Sequence, residues 1–179
     1  MILDTTNFLR ELSLWALPLL LAITFHEAAH AWAALKLGDK TAYFLGRVSI
    51  NPIKHIDPIG TILVPTLLLM LNSSFLFGWA SPVPVNTRNL KKHSLYLALI
   101  AIAGPIANLI MAILWACVIK AMQYGLYASL PQNIGIWLVG NAQRGIIINC
   151  LLAIFNMLPI PPLDGSKILS AILPRSWLW

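Results

Sequence analysis

Two histidines four residues apart, with a glutamate beside the first, are the part of this chain best suited to chemistry: His26-Glu27-Ala28-Ala29-His30. That spacing puts both imidazoles on one face of an α-helix. Such a pair can hold Zn²⁺, and Glu27 would then lie close enough to act as general base. A bound zinc would lower the pKa of its water towards ~7, and Glu27 would take the proton as the water attacks a carbonyl. The five-residue pattern also arises by chance, so its surroundings decide its weight. They are apolar: Leu14 to Leu37 is a run long enough to span ~30 Å of hydrocarbon. A carboxylate buried in a spanning helix costs on the order of 2.5–3.5 kcal/mol, and such residues are functional by default. His30 stands eight residues before Gly38, which sets the motif roughly 12 Å from the end of that helix. The plain structural alternative is that these groups only pair with one another as helix-packing contacts.

The rest of the chain must position this motif in a bilayer. Of 179 residues, 59% are hydrophobic and 10% are charged, against about 25% charged in soluble domains. A soluble core could not hide that much apolar surface. The length suits one domain, residues 1–179. The formal net charge of +6 is better explained by basic loops between apolar runs than by nucleic acid. No secretory signal peptide of the usual form precedes the motif. Cys117 and Cys150 fall in apolar stretches and read as small buried residues, not a disulfide.

Met1–Leu14 reads as an interfacial helix start. Residues 41–56, TAYFLGRVSINPIKHI, read as short strands and turns. Gly60–Trp79 is a second apolar run, broken by Pro65 and Asn72-Ser73-Ser74. Residues 79–86, WASPVPVN, look extended, because Pro82 and Pro84 forbid helix and suit an edge strand. Leu95–Ile119 and Ile136–Leu158 are further apolar segments, separated by a loop at 120–134. Pro159-Ile160-Pro161-Pro162 stops the last of them, and a short helix follows from Asp164 to Leu173. The expected fold is an all-α polytopic membrane protein. It has three core transmembrane helices, a re-entrant, β-containing segment at 41–86 and a short C-terminal helix.

Charge decides between three crossings and four. If Gly60–Trp79 crosses, the twelve basic residues divide six against six. If it dips in and returns, Lys36, Lys40, Arg47, Lys54, Arg88, Lys91, Lys92, Lys167 and Arg175 share one side and only Arg10, Lys120 and Arg144 lie opposite. That bias is the one cytoplasmic loops show. Re-entry is therefore favoured, with the N-terminus outside, although the length of the run would permit a crossing.

A catalytic zinc wants a third protein ligand and an open fourth position. The other carboxylates are Asp4, Glu11, Asp39, Asp57 and Asp164. With three crossings, Asp164 returns to the side on which the first helix ends. Its bland reading is a simple helix cap. His55 and Asp57 are rival ligands whose bland reading is loop structure, and His93 beside Lys91 and Lys92 reads as interfacial. Asn108, after Gly104-Pro105, and Asn156, before the proline-rich break, need hydrogen-bond partners in hydrocarbon. They read either as helix–helix contacts or as groups for a substrate carbonyl. Gly104 would allow close helix approach.

The chain resembles the site-2 protease family of intramembrane metalloproteases, in its compact bacterial and archaeal branch. The resemblance rests on FHEAAHAW (25–32), NPIKHIDPIGT (51–61), GWASPVPVN (78–86), AGPIANL (103–109) and NMLPIPPLDGSKIL (156–169), in order along nearly the whole chain. It implies His26, His30 and Asp164 as ligands of one Zn²⁺ per chain, Glu27 as catalytic base, and Asn108 at the active site. It also implies cleavage of single-pass transmembrane proteins near the cytoplasmic face of a prokaryotic plasma membrane. Relatives continue past the LPR-like segment (173–175) with a further membrane helix, whereas this sequence stops at Trp179.

A helical substrate must unwind to be cut, and a strand edge at 79–86 or 41–50 could hold the extended peptide, with Val83 and Val85 as contacts. The competing readings are a zinc-binding transporter, which would be expected to show paired helical repeats, and a relative that binds transmembrane segments without cutting them. The topology is tested by single cysteines placed through residues 86–92. A membrane-impermeant reagent should label them only from the side that also exposes residues 38–56, and labelling from the opposite side would overturn re-entry.

Overall fold

The computed structural model describes residues 5–71, 73 and 78–173. Asp4, Asn72, Ser74, Arg175 and the end of the LPR-like segment lie outside them. Three helices are long and apolar enough to cross a membrane: α1 (Thr5–Lys36), α4 (His93–Ala121) and α5 (Gln132–Asn156). The α1 helix runs without a break through 5–14, the described part of the stretch read as an interfacial start. The helical path of α4 carries on in irregular turns to Ser129. Exposed Leu99, Ile106, Leu109, Ile110, Ile113 and Leu114 leave α4 apolar on its outward side, as lipid contact requires. Cys117 is exposed on α4, not buried, and both cysteines are free.

The segment expected to carry strands has none among the described residues. Thr41–Phe44 forms a helical turn, α2, and Pro52–Lys54 a 3₁₀ turn. Pro58–Leu63 is a π-type turn that runs into α3 (Val64–Met70). Prolines and side-chain caps explain the outcome. The Asn51 side chain accepts the Ile53 amide at 3.1 Å, and Asp57 accepts those of Ile59 and Gly60 at 3.0 and 2.7 Å. Each cap satisfies the backbone locally and removes the need for a strand partner. Residues 79–86 are extended, as expected, but pair with no ladder.

The backbone at the ends of the Gly60–Trp79 run fits re-entry and not a crossing. Pro58–Met70 is about 20 Å long at 1.5 Å per residue, short of the hydrocarbon thickness. The ends of the run meet: the Trp79 amide donates to the Gly60 carbonyl at 3.1 Å, and the Thr61 hydroxyl donates to the Trp79 carbonyl at 2.7 Å. A segment whose two ends share hydrogen bonds enters and leaves on one side. Leu68 and Leu69 of α3 pack on the Leu19, Ala22, Ile23 and Ile148 cluster of α1 and α5, which gives the irregular backbone the protein cover it needs.

Arg144 falls inside the run read as Ile136–Leu158. It lies within α5, where its guanidinium donates to Glu11 at 2.6 Å and stacks over Trp15 at 5.4 Å. Pairing neutralises a charge inside an apolar helix. The short α6 (Asp164–Ile172) then folds back against α4.

Asp39, fully buried just after α1, ties the extended segment down. Its carboxylate accepts the Thr41 amide and hydroxyl, the Asn86 amide at 2.7 Å and the Asn89 side chain at 2.8 Å. Burial pushes this carboxyl up, but the bonds from Thr41, Asn89 and Asn86 outweigh it and hold Asp39 below the usual carboxylate range. The folded state therefore prefers the ionised form. Its contribution is complete above the unfolded value of about 3.9 and is lost as pH falls through the lower folded value. Hydrogen exchange at residues 79–89, taken relative to the intrinsic rate at each pH, should be slow at pH 7 and accelerate as pH drops below about 4. Asp39→Ala should accelerate it already at pH 7, by about 1–3 kcal/mol of lost protection, and unchanged protection would remove Asp39 as the anchor.

Candidate metal centre

The site is assembled from α1, α4 and α6. His26 and His30 lie one turn apart on α1, with rings edge to face and 4.5 Å between centroids. Asp164 is the first residue of α6, not its cap, and no side-chain cap bond is made there. Its Oδ2 lies 3.3 Å from His26 Nε2 and 3.0 Å from His30 Nε2, and the two Nε2 atoms are 3.0 Å apart. All three residues are buried. They are the one cluster of metal-ligating type among the described residues.

The other faces of the imidazoles settle what the convergent atoms carry. His30 Nδ1 bonds the Ile100 carbonyl at 2.7 Å. A carbonyl can only accept, so Nδ1 holds the proton. His26 Nδ1 bonds Asn108 Oδ1 at 2.6 Å, with the same consequence. In the neutral rings each Nε2 is then a lone pair. Two lone pairs and a carboxylate oxygen meet with no donor between them, an arrangement that a cation relieves. Ligands at 2.0–2.1 Å around tetrahedral zinc would stand about 3.3 Å apart, close to the separations present. The donor set, two imidazoles and one carboxylate, is that of a catalytic zinc site with a fourth position open. Lys167 donates to the other oxygen, Asp164 Oδ1, at 2.9 Å and leaves Oδ2 for the site.

Two glycines make the approach possible. A side-chain carbon on Gly104 would fall 2.5 Å from His30 Nε2 and 2.6 Å from His26 Cε1. One on Gly165 would run into the carbonyl oxygens of Met157 and Leu158, so α6 could not fold back so tightly.

A cleft of about 530 Å³ opens on the three residues and is also lined by Glu27, Val83, Val85, Asn156 and Lys167. Glu27 Oε2 accepts the Val83 amide at 2.8 Å. The Val85 amide has no partner among the described residues. Arg47 holds the same extended segment from behind, donating to the carbonyls of Lys54, Ser81 and Pro82. Nothing in the spacing of Arg47 or Asp39 marked them, because their partners are backbone atoms of distant residues.

The remaining candidates separate clearly. His55 is fully buried, with Nε2 on the Ser49 carbonyl at 2.8 Å, and Asp57 caps a turn. His93 is exposed at the start of α4. Asn108, read either as a helix–helix contact or as a group for a substrate carbonyl, is fully buried behind His26, and its amide donates to Ala22 O and to Asn149 Oδ1. Both its polar ends are occupied, so it supports a histidine and offers nothing to the cleft. Asn156 lines the cleft, and its amide donates to the Leu152 carbonyl at 2.9 Å.

The chain is similar to several known proteins. The profile of peptidase family M50 matches residues 132–176, which hold α5, α6 and Asp164. A Bacillus subtilis protein named "Putative zinc metalloprotease YwhC" is 42% identical over 165 residues, covering 88% of this chain and 68% of that protein. "Putative zinc metalloprotease Rip2" of Mycolicibacterium smegmatis is 28% identical over 82% of this chain and 52% of its own length. "Putative zinc metalloprotease MJ0611" of Methanocaldococcus jannaschii is 43% identical over 70 residues, 39% of this chain and 31% of that protein. No solved structure matches the chain.

Gly104→Val should displace both imidazoles and abolish stoichiometric zinc uptake by the purified protein. Ala116→Val, exposed on the same helix, is the matched control, and full zinc content in Gly104→Val would refute the packing argument.

Proposed function

The chain belongs to peptidase family M50, the site-2 proteases, and on that premise we propose that it is an intramembrane endopeptidase that cuts single-pass transmembrane proteins. It is a multi-pass membrane protein of a zinc metalloprotease family. The observation that carries the finer reading is the convergence of His26 Nε2, His30 Nε2 and Asp164 Oδ2 without a donor, beside Glu27, in a helix apolar enough to span. His26, His30 and Asp164 would hold one zinc per chain. When bound, zinc supplies Lewis-acid polarisation of a carbonyl and acidifies a water.

The chain's own groups do the rest. Glu27 faces the same cleft and takes the proton from the attacking water, then returns it to the leaving amine. The Val83 amide holds the Glu27 carboxylate in place. The cleft is lined mostly by apolar side chains, among them Ile23, Leu97, Ile100 and Leu152, and suits a peptide drawn from hydrocarbon. An unwound substrate needs new partners for its backbone, and the extended segment offers them at Val85, whose amide has no partner among the described residues. Val83 contributes its side chain and carbonyl, since its amide is committed to Glu27. The excess of basic residues on the side where α1 ends supports a site facing the cytoplasm of a prokaryotic cell.

With a model transmembrane substrate in detergent or bilayer, Glu27→Gln should lower cleavage by about 10²–10⁴-fold and leave zinc content intact. Val85→Pro should lower it by about two- to tenfold, as the loss of one backbone hydrogen bond allows, again with zinc retained. Cleavage unaffected by Glu27→Gln would reject the mechanism. A parent protein that binds transmembrane segments and zinc but cuts none would favour a non-catalytic binder.

A further inference from the structure

Behind the metal centre runs a line of amides through three helices. His26 on α1 bonds Asn108 on α4 at 2.6 Å. The Asn108 amide nitrogen donates to Asn149 Oδ1 on α5 at 2.9 Å, and the Asn149 amide nitrogen donates to the Gly145 carbonyl at 2.8 Å. Asn108 and Asn149 are both fully buried. Neither the motif at 26–30 nor the spacing of Asn149 connects this residue with zinc.

The polarity of the line has one sense. Gly145 presents a carbonyl, which can only accept. Asn149 must therefore turn its nitrogen to Gly145 and its oxygen to Asn108. Asn108 must then turn its nitrogen towards Asn149 and the Ala22 carbonyl at 3.1 Å, and its oxygen towards His26. With an oxygen at its back, His26 carries its proton on Nδ1 and leaves Nε2 bare towards Asp164. If Asn108 were reversed, its NH₂ would face Nδ1 and the proton would move to Nε2, pointing into the space a cation needs.

We infer that Asn149 is a positioning residue for zinc: it fixes the orientation of the Asn108 carboxamide and through it the tautomer of His26. The Ala22 carbonyl supplies one constraint on Asn108 and Asn149 supplies the other. The inference rests on His26 being a zinc ligand, as proposed above. Groups that orient a ligating histidine typically alter metal affinity 10–100-fold, and one step further back the effect should lie near the lower end.

The test is a double-mutant cycle on the full chain in detergent, with zinc affinity read by chelator competition. Asn149→Leu should weaken zinc about tenfold, but add less than about twofold in an Asn108→Leu background, because its action passes through Asn108. Asn149→Asp, protonated in this buried site, can still donate to Gly145 and accept from Asn108, and should keep zinc affinity within about twofold. Cobalt absorption should shift in Asn149→Leu and not in Asn149→Asp. If Asn149→Leu does not accumulate, Asn149→Ala takes its place in the cycle. Unchanged zinc affinity, or an equal loss with and without Asn108, would overturn the inference while leaving the metalloprotease reading intact. A parent chain that takes up no zinc would overturn both.

Discussion

With both rings neutral, two imidazole lone pairs and a carboxylate oxygen face one another at 3.0–3.3 Å, and no donor points between them. Left alone, such a cluster is repulsive in a low dielectric. Much of the surrounding structure serves to hold it. The Ile100 carbonyl and Asn108 keep the protons on the far sides of the rings. Lys167 occupies the second oxygen of Asp164. Because carbonyl and ammonium groups have fixed hydrogen-bonding sense, the arrangement cannot relax by moving a proton inward without losing a buried bond elsewhere. A cation at the centre reconciles all of these contacts at once.

Close backbone approach is the second condition. Helices in lipid gain little from burying apolar groups against each other, so contact distance matters more than hydrophobicity. The Ala-rich face of α1 brings α4 near, with Ala31 and Ala34 fully buried and Ala33 nearly so. Gly104 leaves the room in which the imidazoles sit, and Gly165 lets α6 double back on the end of α5. Asp164 reaches α1 only because the chain turns that sharply after the proline-rich break.

The re-entrant part meets a different demand. Irregular backbone near the membrane must have its polar groups satisfied by protein. Asn51, Asp57 and Asn86 cap turns, Arg47 gathers three carbonyls, and Asp39 receives two amides, a hydroxyl and a carboxamide. The residues that accomplish this also place the Val83 amide on Glu27. Stability and the geometry of the base are therefore supplied by the same contacts.

Local patterns carried part of this account in the sequence itself. The 3.6-residue period puts His26 and His30 on one face, and apolar length marks α1, α4 and α5, because both depend on neighbours along one helix. Charge bias pointed to re-entry and brought Asp164 to the same side as the end of α1. The β-branched and aromatic residues of 41–56 misled, since strands were expected there, because side-chain caps satisfied the backbone more locally than a ladder would. The pairing of Arg144 was not legible, because its partner, Glu11, lies 133 residues away. The role of Asn108 behind His26, the commitment of the Val83 amide, and the anchors Arg47 and Asp39 belong to the tertiary structure alone. Each depends on which way a donor or acceptor points across a gap between distant elements, and residue order does not encode that direction until the helices have packed.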